Sequence, residues 1–120
     1  MNKNMRVLSD NEISILQQHF QPLTFENAFQ LVYEKQIPNT GVVIIGGEME
    51  LLKQKKVHEK IGPGFLLGVH HLVNNEPVKL GCKIKENSVV IMIQKSDIME
   101  ALNNRKSALH DIISEHGIKN

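Results

Sequence analysis

The stretch that decides the fold is Lys60-Ile61-Gly62-Pro63-Gly64-Phe65-Leu66-Leu67-Gly68. Its Gly-Pro-Gly centre predicts a turn or a close backbone approach, because glycine and proline adopt the backbone angles that such places require. Two similar interruptions precede it, Pro38-Asn39-Thr40-Gly41 and Gly46-Gly47. The second falls inside a strand-like pattern and predicts a bulge or a tight bend. The chain is thus divided into short segments by glycines.

The segments between these interruptions are typical of strands. Their apolar and polar residues alternate or form short apolar runs, as strands bounded by turn residues do. The predicted strands include residues 30–34, 41–52, 56–61, 78–84 and 89–93. Residues 89–93 read Val-Val-Ile-Met-Ile, which is apolar on both faces and predicts a central strand.

Helices are predicted at both ends of the strand region. Ser9 and Glu12 form a capping-box pattern, which predicts a helix over about residues 9–20, closed by Pro22. After Ser96, a candidate N-cap, helical spacing returns and predicts two short helices over about residues 96–117, stopped by Gly117. We therefore expect a mainly β domain spanning residues 1–120, with a β-roll over about 23–95, flanking helices and one core.

The composition excludes several classes of protein. At 120 residues, with 41% hydrophobic and 22% charged residues, the chain fits one soluble domain. It has no apolar run near the roughly 20 residues of a membrane span and no signal peptide, so we expect a cytoplasmic protein without a membrane partner. The net charge of +1 supplies no basic face for nucleic acid. The single cysteine, Cys82, predicts a buried apolar residue.

The order of elements and the positions of the glycines resemble the cyclic nucleotide-binding domain of catabolite activator-type regulators, kinase regulatory subunits and gated channels. The resemblance covers about residues 9–116 and is carried by residues 42–51 and, more specifically, by residues 60–68. The turn glycines that support it are Gly46, Gly47, Gly62 and Gly64. It implies a jelly roll, and an unrelated cupin-like jelly roll is the main alternative.

The resemblance also implies a phosphate-binding cassette, which this sequence carries in a degenerate form. In the family, a glutamate that accepts the ribose hydroxyl follows the glycine that is here Gly68, but this chain has Val69. The family's arginine falls on Val78 or Lys79, depending on loop length. Valine offers no charge, and lysine lacks the two-pronged guanidinium. Strand alternation favours Val78 over Lys79 as the residue in the place of the family's arginine, because Val78 would share one face of the strand with Leu80. We therefore expect no binding of cyclic nucleotide in the usual mode.

Two adjacent histidines, His70 and His71, stand where the short helix of the cassette would begin. No neighbouring Cys, Asp or third His completes a metal site, so partly exposed polar residues are the default interpretation. An anion held by backbone N–H groups of the cassette is an alternative. No nucleophile with a base, no carboxylate pair and no cofactor motif has recognisable spacing, so we expect neither an enzyme nor a cofactor.

The leading functional prediction is a stand-alone regulatory or adaptor domain that binds another signalling or regulatory protein. The alternative is a sensor that holds a cyclic nucleotide, another anion or an apolar molecule in the β-roll. A cavity plugged by Val69, Val78 or Leu80 would favour the adaptor. A filled or roomy polar cavity lined by residues 64–71 and 78–82 would favour the sensor. The apolar stripe of Leu109 and residues 112–113 predicts packing against the domain or, alternatively, a homodimer contact through the C-terminal helix.

Overall fold

The structure of the protein is a computed structural model that describes residues 6–115. It contains nine strands and four helices within those residues. In chain order, the elements are β1 (Arg6–Val7), α1 (Asp10–His19), β2 (Leu23–Phe25), β3 (Phe29–Val32), β4 (Thr40–Gly46), β5 (Met49–Lys53), β6 (Lys56–Ile61), β7 (Phe65–Leu67), α2 (Val69–Asn74), β8 (Gly81–Ile84), β9 (Ser88–Gln94), α3 (Lys95–Asn103) and α4 (His110–Ile113).

The strands form two antiparallel sheets that pack face to face. One sheet has the order β1-β7-β4-β9-β2, and the other has the order β3-β8-β5-β6. The pairing of β4 with β9 runs from Thr40 opposite Gln94 to Gly46 opposite Val89. A register shift between Ile44 and Gly46 is the bulge that the glycine pair predicts. This is a jelly-roll arrangement, and the predicted fold class is confirmed.

The five-stranded sheet is buried on both of its faces. Val90 of β9 belongs to the cluster between the two sheets, whereas Ile91 and Ile93 of the same strand belong to a second cluster under the helices. The prediction that residues 89–93 form an interior strand is thus confirmed, since β9 lies between β4 and β2. The expectation of one core is wrong, because alternation sends successive apolar residues of this sheet into two separate clusters.

The helices lie where the sequence predicts them, with one difference at a helix start. The Ser9 side chain accepts a hydrogen bond from the Glu12 backbone N–H, and the Glu12 carboxylate accepts one from the Ser9 N–H, which completes the capping box of α1. In contrast, α3 has Gln94 as its N-cap, not Ser96. The helix follows β9 without a linking residue, so Ser96 lies inside the first turn and not at the cap. The predicted stop at Gly117 lies outside the described residues.

The apolar stripe of α4 packs against its own chain. Leu109, Ile112 and Ile113 are all buried in the cluster under the helices. These side chains are therefore already covered within the domain. Within residues 6–115, none of the helices combines the length and apolar character needed to cross a bilayer.

Candidate functional site: the cavity of the β-roll

A cavity of about 140 Å³ opens from the space between the two sheets to the surface. Five strands contribute to its wall through Leu31 and Val32 (β3), Thr40 and Val42 (β4), Leu51 (β5), Leu67 (β7) and Cys82 (β8). The remaining wall comes from loop and cassette residues, namely Pro38, Gly68, His71, Val78, Lys79 and Leu80. Aliphatic side chains make up most of this surface.

Gly68 fixes where α2 begins relative to the cavity. Its φ is +88°, and a Cβ at this position would lie 2.9 Å from the Thr40 carbonyl oxygen. Only glycine tolerates both the left-handed backbone and that close approach. The chain then turns into α2, where the Leu72 N–H donates to the Gly68 carbonyl at 2.9 Å. This turn places His71 in the cavity wall.

Val78, Lys79 and Leu80 also line the cavity. They are not part of a strand, so the predicted strand over residues 78–84 is too long, and β8 begins only at Gly81. The reason lies in the backbone of Val78, which accepts from the Lys35 N–H at 2.8 Å and donates to the Gln36 carbonyl at 2.9 Å. The segment is thus bonded to the β3–β4 loop, and its side chains meet the cavity.

The two histidines point to different surroundings. The His70 imidazole lies 3.8 Å from the Glu76 carboxylate, measured from Nε2 to Oε2, and its ring meets that of His71 edge to face at 5.5 Å between centroids. His71 lines the cavity, and its pKa is lowered chiefly by burial and then by His70 and Lys79, against an opposing effect of Glu76. Among the described residues, no group of three potential metal ligands comes together.

Cys82 contributes its side chain to the cavity wall from β8. Burial raises the pKa of this thiol to about 12, because the charged thiolate is poorly solvated in the core. The side chain therefore acts as a small apolar group at neutral pH, as the sequence predicts. It is not an activated nucleophile.

The sequence pointed to the wall residues of β7 and β8, which lie within residues 64–71 and 78–82, but not to those of β3, β4 and β5. Val42 and Leu51 look like any other core positions in a strand pattern, and they belong to the cluster between the sheets. An apolar strand residue either packs against the facing sheet or lines a cavity, depending on the distance between the two sheets. That distance has no local signal in the sequence.

The comparisons with known proteins bear on the architecture. No protein-family model and no curated protein matches the chain. A solved structure from work on a cyclic-GMP-dependent signalling pathway in bacterial phytopathogenesis is similar, with a TM-score of 0.73, 13% identity and coverage of 91% of this chain and 90% of that one. A putative cyclic nucleotide-binding protein from Geobacter metallireducens has a TM-score of 0.64, 17% identity and coverage of 91% and 81%.

The Catabolite Activator Protein of Thermus thermophilus has a TM-score of 0.65 and 14% identity over 90% of this chain, which spans 53% of that protein. The chain has the cyclic nucleotide-binding fold. At these identities, the likeness shows the fold alone. The resemblance inferred from residues 42–51 and 60–68 is therefore confirmed at the level of the fold.

Within the cyclic nucleotide-binding fold, five of the seven cassette residues chosen from the sequence meet at the cavity: Gly68, His71, Val78, Lys79 and Leu80. The structure does not place Val69 or His70 in the wall. Val69 is 1% exposed and lies in the cluster under the helices. A Cβ on Gly41 would lie 2.8 Å from Val69 Cγ2 and 3.3 Å from Ile98 Cδ1, so the two side chains meet above Gly41.

Proposed function

We propose that this chain is a regulatory domain of the cyclic nucleotide-binding fold that senses a small, largely apolar molecule in the β-roll cavity. The observation that carries the proposal is that the cavity is open. Val69 points elsewhere, and Val78 and Leu80 line the cavity without filling it. An open cavity supports a sensor over an adaptor, and because its wall is more apolar than the polar wall expected from the sequence, the proposed ligand is largely apolar.

The size and chemistry of the cavity argue against a cyclic nucleotide in the usual mode. An apolar cavity of roughly 150 Å³ holds a molecule the size of benzene, and the cavity here has about 140 Å³. A purine, a sugar and a phosphate together are several times larger. The wall also holds no carboxylate for a ribose hydroxyl among the described residues, and no arginine for a phosphate.

The segment of residues 78–80 connects the cavity wall to an exposed loop, so it can transmit a structural change caused by a ligand. Val78 is hydrogen-bonded through its backbone to Lys35 and Gln36 in the β3–β4 loop. This loop also carries Tyr33, which is 61% exposed, and Ile37, which is 42% exposed. A ligand that displaces Val78 would shift these two exposed side chains, because the hydrogen bonds couple the two segments.

The proposal is tested by titrating the protein with benzene, a neutral probe of cavity size, and following ¹³C-methyl chemical shifts. We expect saturable shifts at Val42, Leu51 and Leu67. The filling variant Leu80→Phe should abolish them, whereas the matched control Leu102→Phe, under the helices, should leave them intact. The absence of saturable shifts in the wild-type protein would refute the sensor, as would equal shifts in the folded Leu80→Phe variant.

A second candidate is the adaptor that binds another signalling protein through its surface. The exposure of Tyr33 and Ile37 on one loop favours it, since exposed apolar side chains that lie together mark interaction sites. Immobilised wild-type protein should capture a defined partner from lysate, and the Tyr33→Ser variant should lose it. The control Val57→Ser, at a similarly exposed apolar position on β6, should retain it. Repeated screens without a partner would count against the adaptor.

A further inference from the structure

The cavity wall holds basic side chains and, among the described residues, no acidic one. His71 and Lys79 are the basic residues of the wall, and within the described chain no aspartate or glutamate lines it. Thr40 adds a hydroxyl group on the strand side. An aliphatic cavity therefore carries a basic group, a histidine and a hydroxyl, which can all donate hydrogen bonds.

Glu76, which is close in the chain to His71 and Lys79, is not among the residues of the cavity wall. Glu76 follows α2, and its carboxylate lies 3.8 Å from the imidazole of His70. His70 does not line the cavity wall. The positive charge of Lys79 is therefore not matched by an acidic side chain within the wall. Lys79 is an exposed residue that lines the cavity, so its flexible side chain can bring an ammonium group to a ligand that otherwise meets aliphatic carbon.

We propose that the ligand is a small aliphatic carboxylic acid, bound with its carboxylate between Lys79 and His71 and its hydrocarbon part among Val42, Leu51 and Leu67. This inference rests on the proposed function, because it names the ligand class of the same cavity. The volume of the cavity sets the length of the chain at roughly five or six carbons, by comparison with cavities that hold benzene.

The charge balance favours a carboxylate over a phosphate ester. One lysine and one neutral imidazole supply a single positive charge and a few N–H donors, which matches a monoanion with two oxygens. A phosphate ester carries about −1.5 to −2 charge at pH 7, so one ammonium group would neutralise only part of that charge. An aliphatic ammonium ligand would place its charge beside that of Lys79.

Binding of a carboxylate also changes the protonation of His71. The pKa of His71 is lowered, chiefly by burial, with His70 and Lys79 lowering it further and Glu76 opposing them. A second negative charge beside the ring favours the imidazolium form. We therefore expect the protein to take up protons when it binds a carboxylate near pH 6, and to bind it more tightly at pH 6 than at pH 8.

Isothermal titration with hexanoate, hexanamide and hexylamine tests the inference, since the three probes share a chain and differ in charge. We expect hexanoate to bind at least tenfold more tightly than hexanamide, and hexylamine to bind more weakly than either. Lys79→Met keeps the length of the side chain and should reduce the hexanoate affinity about tenfold without changing that of hexanamide. The control Lys83→Met, on β8 outside the wall, should change neither.

The possible results separate this inference from the proposed function. Equal affinity for hexanoate and hexanamide would overturn the carboxylate assignment and leave a sensor of neutral ligands. A hexanoate affinity unchanged by Lys79→Met would also overturn it, provided that circular dichroism shows the variant folded. If benzene shifts the cavity methyl groups but hexanoate does not bind, only the inference fails. If benzene shifts no cavity methyl group, the sensor fails, and the inference fails with it.

Discussion

The replacement of Val69 by glutamate is the sharpest test of how the cassette is oriented. The family to which the fold points has a glutamate there, which would face the cavity. In this structure, Val69 packs against Gly41 and Ile98 in the cluster under the helices. Val69→Glu therefore places a carboxyl group in the core, where it must stay protonated or disrupt the packing.

The cost follows from the pKa of an ordinary glutamate. Keeping a carboxyl of pKa about 4.3 protonated at pH 7 costs about 3.7 kcal/mol, at 1.36 kcal/mol per pH unit. The larger side chain adds about 1–3 kcal/mol of strain. With a urea m-value of about 1–3 kcal/mol/M, this loss of roughly 5–7 kcal/mol should lower the unfolding midpoint by roughly 2–7 M, or the variant should not fold.

Urea denaturation followed by circular dichroism gives the measurement. The matched control is Val57→Glu at a 48% exposed position on β6, which should change the stability by at most about 0.5 kcal/mol. The loss in Val69→Glu should shrink by about 3 kcal/mol between pH 7 and pH 5, since the folded state holds the proton at both values and the unfolded state increasingly holds it at pH 5. A Val69→Glu midpoint equal to that of wild type would refute the packing described here.

Three further predictions concern the turn, the thiol and the histidine. Gly68→Ala should lower the free energy of unfolding by about 2–4 kcal/mol, because of its positive φ and the nearby Thr40 carbonyl, whereas Gly62→Ala, with open space around it, should change it little; chemical denaturation measures both. Cys82 should react with iodoacetamide at pH 8 about a thousandfold more slowly in the folded protein than in urea, because its pKa is about 12; comparable rates would mean that the thiol is exposed. The free energy of unfolding of the wild-type protein should fall as the pH drops below 6.5, because the folded state disfavours the charged His71 imidazole. In His71→Asn this fall should be smaller, and identical profiles of unfolding free energy against pH would contradict the prediction.

The sequence predicts the elements of this fold well where the signals are local. The capping box of Ser9 and Glu12 places α1, and the bulge at Gly46 follows from a glycine pair inside a strand pattern. Residues 56–61 were predicted as a strand and form β6. These features depend on residues close together in the chain, so their physical causes are readable from the chain itself.

The sequence fails where long-range contacts decide the outcome. Val78 has the alternation of a strand residue, but its hydrogen bonds go to the β3–β4 loop about 40 positions earlier. Likewise, the resemblance aligns Val69 with a ligand-binding glutamate, and only the position of Gly41 and α3 shows that the side chain packs into the core. The cavity itself depends on the separation of two sheets.

Methyl chemical shifts recorded on one sample, titrated first with cyclic AMP and cyclic GMP and then with benzene, test most directly the claim that the cavity holds a small apolar molecule. We predict that neither nucleotide shifts the methyl groups of Val42, Leu51 and Leu67 up to millimolar concentration, whereas benzene shifts them saturably and leaves Ile112, under the helices, unchanged. Saturable shifts with a cyclic nucleotide, or none with benzene, would contradict it.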